Sequence, residues 1–231
     1  MSRKLKAASN KGGKKYAPAN GRGAVIVVSN LKGGSGKSTI AFNLAVWLAA
    51  KGGEPLLVDI DPQKTLSDLV SVRDEIGAEP GVASPSERLN IVAEGRWTLV
   101  DCGAAEVART SAVVPQADII LVPVLPSQAD IWATQRFLEI LRPQRKADAR
   151  VALFVNRADP PDKSRETRET LAALKVMAGM CEGAVVLPTM LGRRIAFCRS
   201  LSEGLGVFEL KAKAKASEEF HAFAKAVMAL R

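Results

Sequence analysis

Six short apolar runs, with helical periodicity between them, restrict this chain to one broad architecture. They read "AVIVVS" at 24–29, "PLLVDID" at 55–61, "RWTLVDC" at 96–102, "ADIILVPV" at 117–124, "RVALFVN" at 150–156 and "GAVVLP" at 183–188. Continuous β-branched runs without in–out alternation are strands covered on both faces. Between them, Ile40, Leu44, Ala45 and Leu48 mark one helix face that ends at Gly52-Gly53. Further helical patterns lie near 127–141 and 163–178, and Phe220, Phe223, Ala224 and Val227 give a closing helix its i, i+3, i+4, i+7 spacing. Such alternation predicts an α/β fold, a mostly parallel twisted sheet with right-handed crossovers and helices on both faces. In such sheets ligands bind beyond the carboxyl ends of the strands.

Charge divides the chain. Residues 1–23 hold Arg3, Lys4, Lys6, Lys11, Lys14, Lys15 and Arg22 with no acid, which accounts for most of the net charge of +9. With almost no large apolar groups, this segment cannot offset the entropy of ordering and reads as a disordered basic arm suited to a polyanion. Residues 24–231 read as one domain. No apolar run reaches the eighteen residues of a membrane span, and the N-terminus lacks the apolar core of a secretory signal. Cys102, Cys181 and Cys198 are too far apart for a disulfide framework or a zinc site, which fits a reducing cytoplasm.

After the first run comes "SNLKGGSGKST", residues 29–39. Gly33, Gly34 and Gly36 permit left-handed backbone and close approach, so that amides can wrap a phosphate at a helix N-terminus. Lys37 can reach the β- and γ-phosphates, the Ser38 hydroxyl can ligate Mg²⁺, and Thr39 completes the motif. The pattern departs from the common one at its start, where Leu31 stands in place of glycine beside an additional lysine, Lys32. The similar letters "KGGKK" at 11–15 follow no strand and precede no hydroxyl, so they belong to the arm. Asp101 ends a strand and can hold the magnesium shell from beside the loop. Asp59 and Asp61 in "VDIDPQ" end another strand, and either can position a water on the γ-phosphate.

Together "KGGSGKST", "LLVDIDPQ", "TLVDCGA", "ILVPVLPSQADIWA" and "RRIAFCRSLSEGLGVFEL" resemble the ParA/MinD family of deviant Walker A ATPases, nearest to small ParA-type partition proteins. The resemblance covers 24 to about 230 and implies a P-loop NTPase fold, with ATP and Mg²⁺ as cofactors. It also implies a nucleotide-sandwich homodimer in which Lys32 reaches the partner's phosphates, as an arginine finger does. By the same resemblance the nucleotide is held by Lys32, Gly33, Gly34, Ser35, Gly36, Lys37, Ser38 and Thr39, and adenine by Asn156 and Pro188. Lys32, Lys37 and Asp61 would be catalytic, and Ser38, Asp61 and Asp101 would hold the metal. One departure is Gly103-Ala104, where the family often has two prolines.

ATP-bound dimers of such proteins coat the nucleoid, and a ParB-like partner triggers hydrolysis, so the implied role is the segregation or positioning of a plasmid, chromosome or protein assembly. Arg193, Arg194, Arg199, Lys211, Lys213 and Lys215 are the candidate DNA-phosphate contacts. A MinD-like membrane regulator would end in a basic amphipathic helix, but here Glu218 and Glu219 flank the apolar stripe, so no stable membrane binding is expected. An iron–sulfur reductase on the same fold would need cluster cysteines, and none follows Cys102 before residue 181.

Overall fold

The computed structural model describes residues 23–91, 95–104, 106–160 and 162–231. Apart from Gly23, the arm assigned to 1–23 lies outside the described residues. The element order is β1 Ala24–Val28, α1 Lys37–Ala49, β2 Leu56–Asp59, α2 Thr65–Glu75, β3 Trp97–Asp101, α3 Val107–Val113, β4 Ile119–Val124, α4 Gln128–Leu141, β5 Arg150–Ala158, α5 Arg165–Met180, β6 Ala184–Val186, β7 Leu191–Gly192, α6 Ile195–Ser202, α7 Val207–Leu210 and α8 Lys215–Met228. The strands form a parallel sheet in the order β2-β3-β1-β4-β5-β6, with β7 pairing to the far end of β5.

Successive residues of β1 point to opposite faces of the sheet. Ala24, Ile26 and Val28 enter a core shared with α1, α2, α7 and α8, whereas Val25 and Val27 enter one shared with α3, α4 and α5. This double coverage is why the strand sequences lack polar alternation. The register then sets Val28 beside Asp101 and Asp101 beside Asp59, so the loop after β1 and both carboxylates emerge at one edge.

Helix α1 differs from the one-sided helix expected of it. From Ile40 to Ala49 every residue is buried, Asn43 included, because α2, α7 and α8 enclose the side away from the sheet. An all-round apolar sequence is the mark of such a helix. Asn43 escapes an unsatisfied burial by donating to Thr39 O at 2.8 Å and accepting from Val207 N at 2.7 Å. Trp47 Nε1 donates to His221 Nδ1 at 2.8 Å, which ties α1 to α8. The apolar stripe of α8 packs on the sheet, with Phe223 against Phe154 at 4.6 Å between ring centroids.

Among the shorter elements, α2 turns Leu66, Leu69 and Val70 into the core, and α6 packs against both α2 and α7. Arg73 locks α2 to them from a fully buried position. It donates to Pro80 O, to Gly204 O and to both carboxylate oxygens of Glu209, the last two at 2.8 and 3.0 Å.

Candidate functional site

Between β1 and α1 the chain folds around its glycines. Gly34 and Gly36 have φ of 73° and 92°, and Gly36 is also the residue on which α1 starts. A Cβ on Gly36 would lie 2.5 Å from Asn156 Nδ2, so glycine is required there for close approach as well as for conformation. Asn156 uses that approach to donate to Ser35 O at 2.7 Å. The loop's entrance is held by Asn30, buried beneath it, which donates to Pro123 O and Thr134 Oγ1 and accepts from Lys32 N. Asn30 was not picked out from the sequence, because the only signal is a polar residue just after an apolar run.

The two lysines of the loop have different settings. Lys37 is buried and its Nζ donates to Lys32 O at 3.2 Å. Burial holds its ammonium below the ordinary lysine value, opposed by the carboxylates of Asp101 and Asp61. The Lys32 side chain is exposed and has no hydrogen bond or ion pair among the described residues.

Asp101 sits at the floor of the site without solvent exposure. Burial pushes its carboxyl up to about 7, opposed by the Ser38 hydroxyl; Asp59 raises it further and Lys37 lowers it. The Ser38 hydroxyl is near enough to favour the charged form, yet neither carboxylate oxygen makes a hydrogen bond of good geometry. An orphaned buried carboxylate beside a hydroxyl is a donor set suited to a hard cation. Among the described residues no three His, Cys, Asp or Glu side chains gather as a metal cage. Mg²⁺ takes one or two protein oxygens and completes its shell with phosphate and water. Ser38 and Asp101 are the residues placed to hold it.

The two aspartates that sequence alone left equivalent are separated by their bonds. Asp59 is fully buried and occupied: Oδ1 accepts from Asp61 N, and Oδ2 accepts from Ser67 N and Ser67 Oγ at 2.9 and 2.7 Å, which pins the start of α2. Asp61 instead lines a cavity of about 530 Å³ with Gly33, Gly34, Gly36, Lys37, Ser38 and Thr39. Gly103 borders the same cavity, and a Cβ there would stand 3.0 Å from Asp61 Oδ1. The glycine that departs from the expected proline pair thus makes room for Asp61.

A glycine-rich loop at a helix N-terminus, a buried lysine and a strand-end carboxylate are together suited to binding a nucleotide. The family model for the "CobQ/CobB/MinD/ParA nucleotide binding domain" matches residues 26–207. The chain belongs to this nucleotide-binding family. Its P-loop is that of a ParA/MinD-type ATPase. Among curated relatives it is 31% identical over 211 residues to the Maintenance of carboxysome distribution protein A of Halothiobacillus neapolitanus, covering 87% of this chain and 94% of that one. It is 28% identical over 216 residues to Protein ParA of Rhizobium radiobacter, covering 88% and 95%. The fold matches an ATP complex of Cyanothece McdA with a TM-score of 0.70 at 20% identity, covering 88% of this chain and 96% of that one. It also matches the cell division ATPase MinD of Pyrococcus furiosus with a TM-score of 0.69 at 20% identity, covering 91% and 100%.

Other residues singled out from the sequence fall in different places around this ParA/MinD-type site. Asn156 borders a second cavity, of about 540 Å³, with Gly36, Thr39, Ile40, Arg157, Gly192, Arg193, Arg194 and Ile195 in its wall. Pro188, expected beside adenine, is exposed and stands in the wall of neither cavity. The chain continues past it to β7, and the segment from Gly192 forms that wall instead. Of the six basic candidates for DNA, Arg193, Arg199, Lys211, Lys213 and Lys215 are exposed. Arg194 is half-buried and paired to Glu219 at 2.7 Å. Cys102 is fully buried, and burial pushes its thiol well above the ordinary range, an inert setting unsuited to a cluster shared between subunits.

Proposed function

We propose that this chain is an ATP-hydrolysing switch of the ParA type, which dimerises on ATP, binds DNA without sequence preference on the nucleoid and positions a cargo, with hydrolysis stimulated by a ParB-like partner. The observation that carries this reading is the split between the two loop lysines. Lys37 is buried beside Asp101 and serves its own nucleotide. Lys32, exposed at the loop entrance on a backbone fixed by Asn30, is available to the phosphates of a second copy. A cation brought to a developing negative charge from across an interface acts as an arginine finger does, and makes dimerisation depend on the nucleotide.

In this mechanism the loop amides and Lys37 hold the β- and γ-phosphates in line for attack. Mg²⁺, held by Ser38 and Asp101, would neutralise phosphate oxygens when bound. Asp61 orients the attacking water, and Gly103 keeps the space in which its carboxylate stands. The related carboxysome-distribution and ParA proteins favour a protein assembly or a replicon as cargo. A MinD-like membrane role is disfavoured because the apolar face of α8 is packed in the core and is not free to lie in a bilayer.

The test is sizing chromatography with a non-hydrolysable ATP analogue. Lys37→Ala should lose tight nucleotide binding. Lys32→Ala should bind nucleotide yet remain monomeric, and a normal dimer from it would overturn the reading.

A further inference from the structure

The two cavities beside the P-loop share three wall residues, Gly36, Thr39 and Arg157. Gly36 and Thr39 belong to the loop and to α1, and Arg157 comes from the end of β5. The phosphate cavity holds Lys37, Ser38 and Asp61, whereas the second is lined by Ile40, Asn156, Ile195, Phe197 and Leu201, a wall suited to a nucleoside. Arg157 therefore stands in the wall of both cavities.

Its backbone is unusual. Arg157 has φ of 53°, one of two non-glycine residues with positive φ among those described, and it lies where the pairing of β5 with β7 shifts between Asn156 and Ala158. Such a bulge re-aims a side chain, and left-handed backbone at a non-glycine residue persists only where its surroundings fix it. Here a hydrogen-bonded chain fixes it: Asn156 Nδ2 donates to Ser35 O at 2.7 Å, and Asn156 Oδ1 accepts from Arg157 N at 3.0 Å. The P-loop thus holds the backbone of Arg157 through one intervening side chain. The guanidinium itself is exposed and has no hydrogen bond or ion pair among the described residues.

We infer that Arg157 is a nucleotide-contacting residue, whose guanidinium binds the α-phosphate and ribose region shared by ADP and ATP. The inference rests on the nucleotide-binding reading of the site and adds a division of roles within it. Lys37 and Asp61 serve the terminal phosphates, and Arg157 grips the part of the nucleotide that hydrolysis leaves unchanged. It should raise affinity for both nucleotides alike and contribute nothing to telling them apart.

The experiment is equilibrium binding of fluorescent ADP and of a fluorescent non-hydrolysable ATP analogue to the full chain and to Arg157→Ala, Arg157→Gly and Arg157→Lys. Arg157→Ala should weaken both by about tenfold, the scale of one charged hydrogen bond at a partly exposed site. Arg157→Gly accepts the positive φ without strain, so it should melt no lower than the parent chain yet bind as weakly as Arg157→Ala. Arg157→Lys should recover part of the loss. If Arg157→Gly binds as tightly as the parent, or if the loss falls on the ATP analogue alone, the inference is overturned. If the parent chain binds neither nucleotide while remaining folded, the underlying reading fails instead.

Discussion

Glu209→Gln offers a measurable test of how the fold holds its short C-terminal helices. Arg73 has no solvent exposure, and Glu209 is 19% exposed at its side chain, so the pair is largely shielded from water. Removing one partner of a buried ion pair destabilises by ~3–5 kcal/mol, because the remaining charge stays buried. Arg73 would keep its bonds to Pro80 O and Gly204 O, and water can reach the edge of the pair. The loss should therefore lie at the lower end, about 3 kcal/mol, or ~6–12 °C in melting temperature for a chain of this size. Urea unfolding should show a lower midpoint with an unchanged slope. The doubly substituted Arg73→Met, Glu209→Leu chain removes both charges, so it should be less destabilised than the sum of the singles by about 2 kcal/mol. A Glu209→Gln midpoint equal to the parent's, or strict additivity in the double variant, would refute the argument that an uncompensated buried charge dominates.

Asp61→Ala should lower ATP turnover by ~10² or more while leaving nucleotide binding intact, as steady-state hydrolysis and binding assays would show. Asp59→Ala should instead lose the bonds that start α2 and destabilise the fold by ~1–2 kcal/mol in urea unfolding. Gly103→Ala should slow turnover without weakening nucleotide binding, because the added methyl would meet Asp61 Oδ1 at 3.0 Å; unchanged turnover would separate Gly103 from the catalytic step. Burial, with Lys51 and Lys225 nearby, holds His221 below the ordinary imidazole value of 6.5, and the neutral ring accepts from Trp47. The unfolded chain then takes up the proton more readily, so this contribution to stability is present above pH 6.5 and lost as pH falls through the lower folded value. Melting curves of His221→Phe should be flatter than the parent's over that window. Removing residues 2–23 should reduce the slope of log K against log salt for random duplex DNA by a few units, since each phosphate contact contributes ~0.9.

The features readable from the chain alone are those that short windows of residues control. Six double-covered strands, the loop glycines with Lys37 and Ser38, and the strand-end Asp101 were all legible, because backbone freedom, β-branched runs and motif spacing are local properties. Tertiary structure decided whatever depends on partners distant in the chain. Asp59 and Asp61 look alike in "VDIDPQ", and they part ways because Ser67 saturates one of them. Arg194 reads as one more surface cation until the fold brings Glu219 to it. Arg73 meets Glu209 across 136 residues, a pairing that no periodicity records. Arg157 looks like an ordinary residue after a strand, and only the fold sets it at the shift in β5–β7 pairing, in the wall of both cavities beside the P-loop. The physical reason is the same in each case. A side chain's charge and shape are written locally, but its hydrogen-bond partners and its access to water are set by which elements the sheet register brings together.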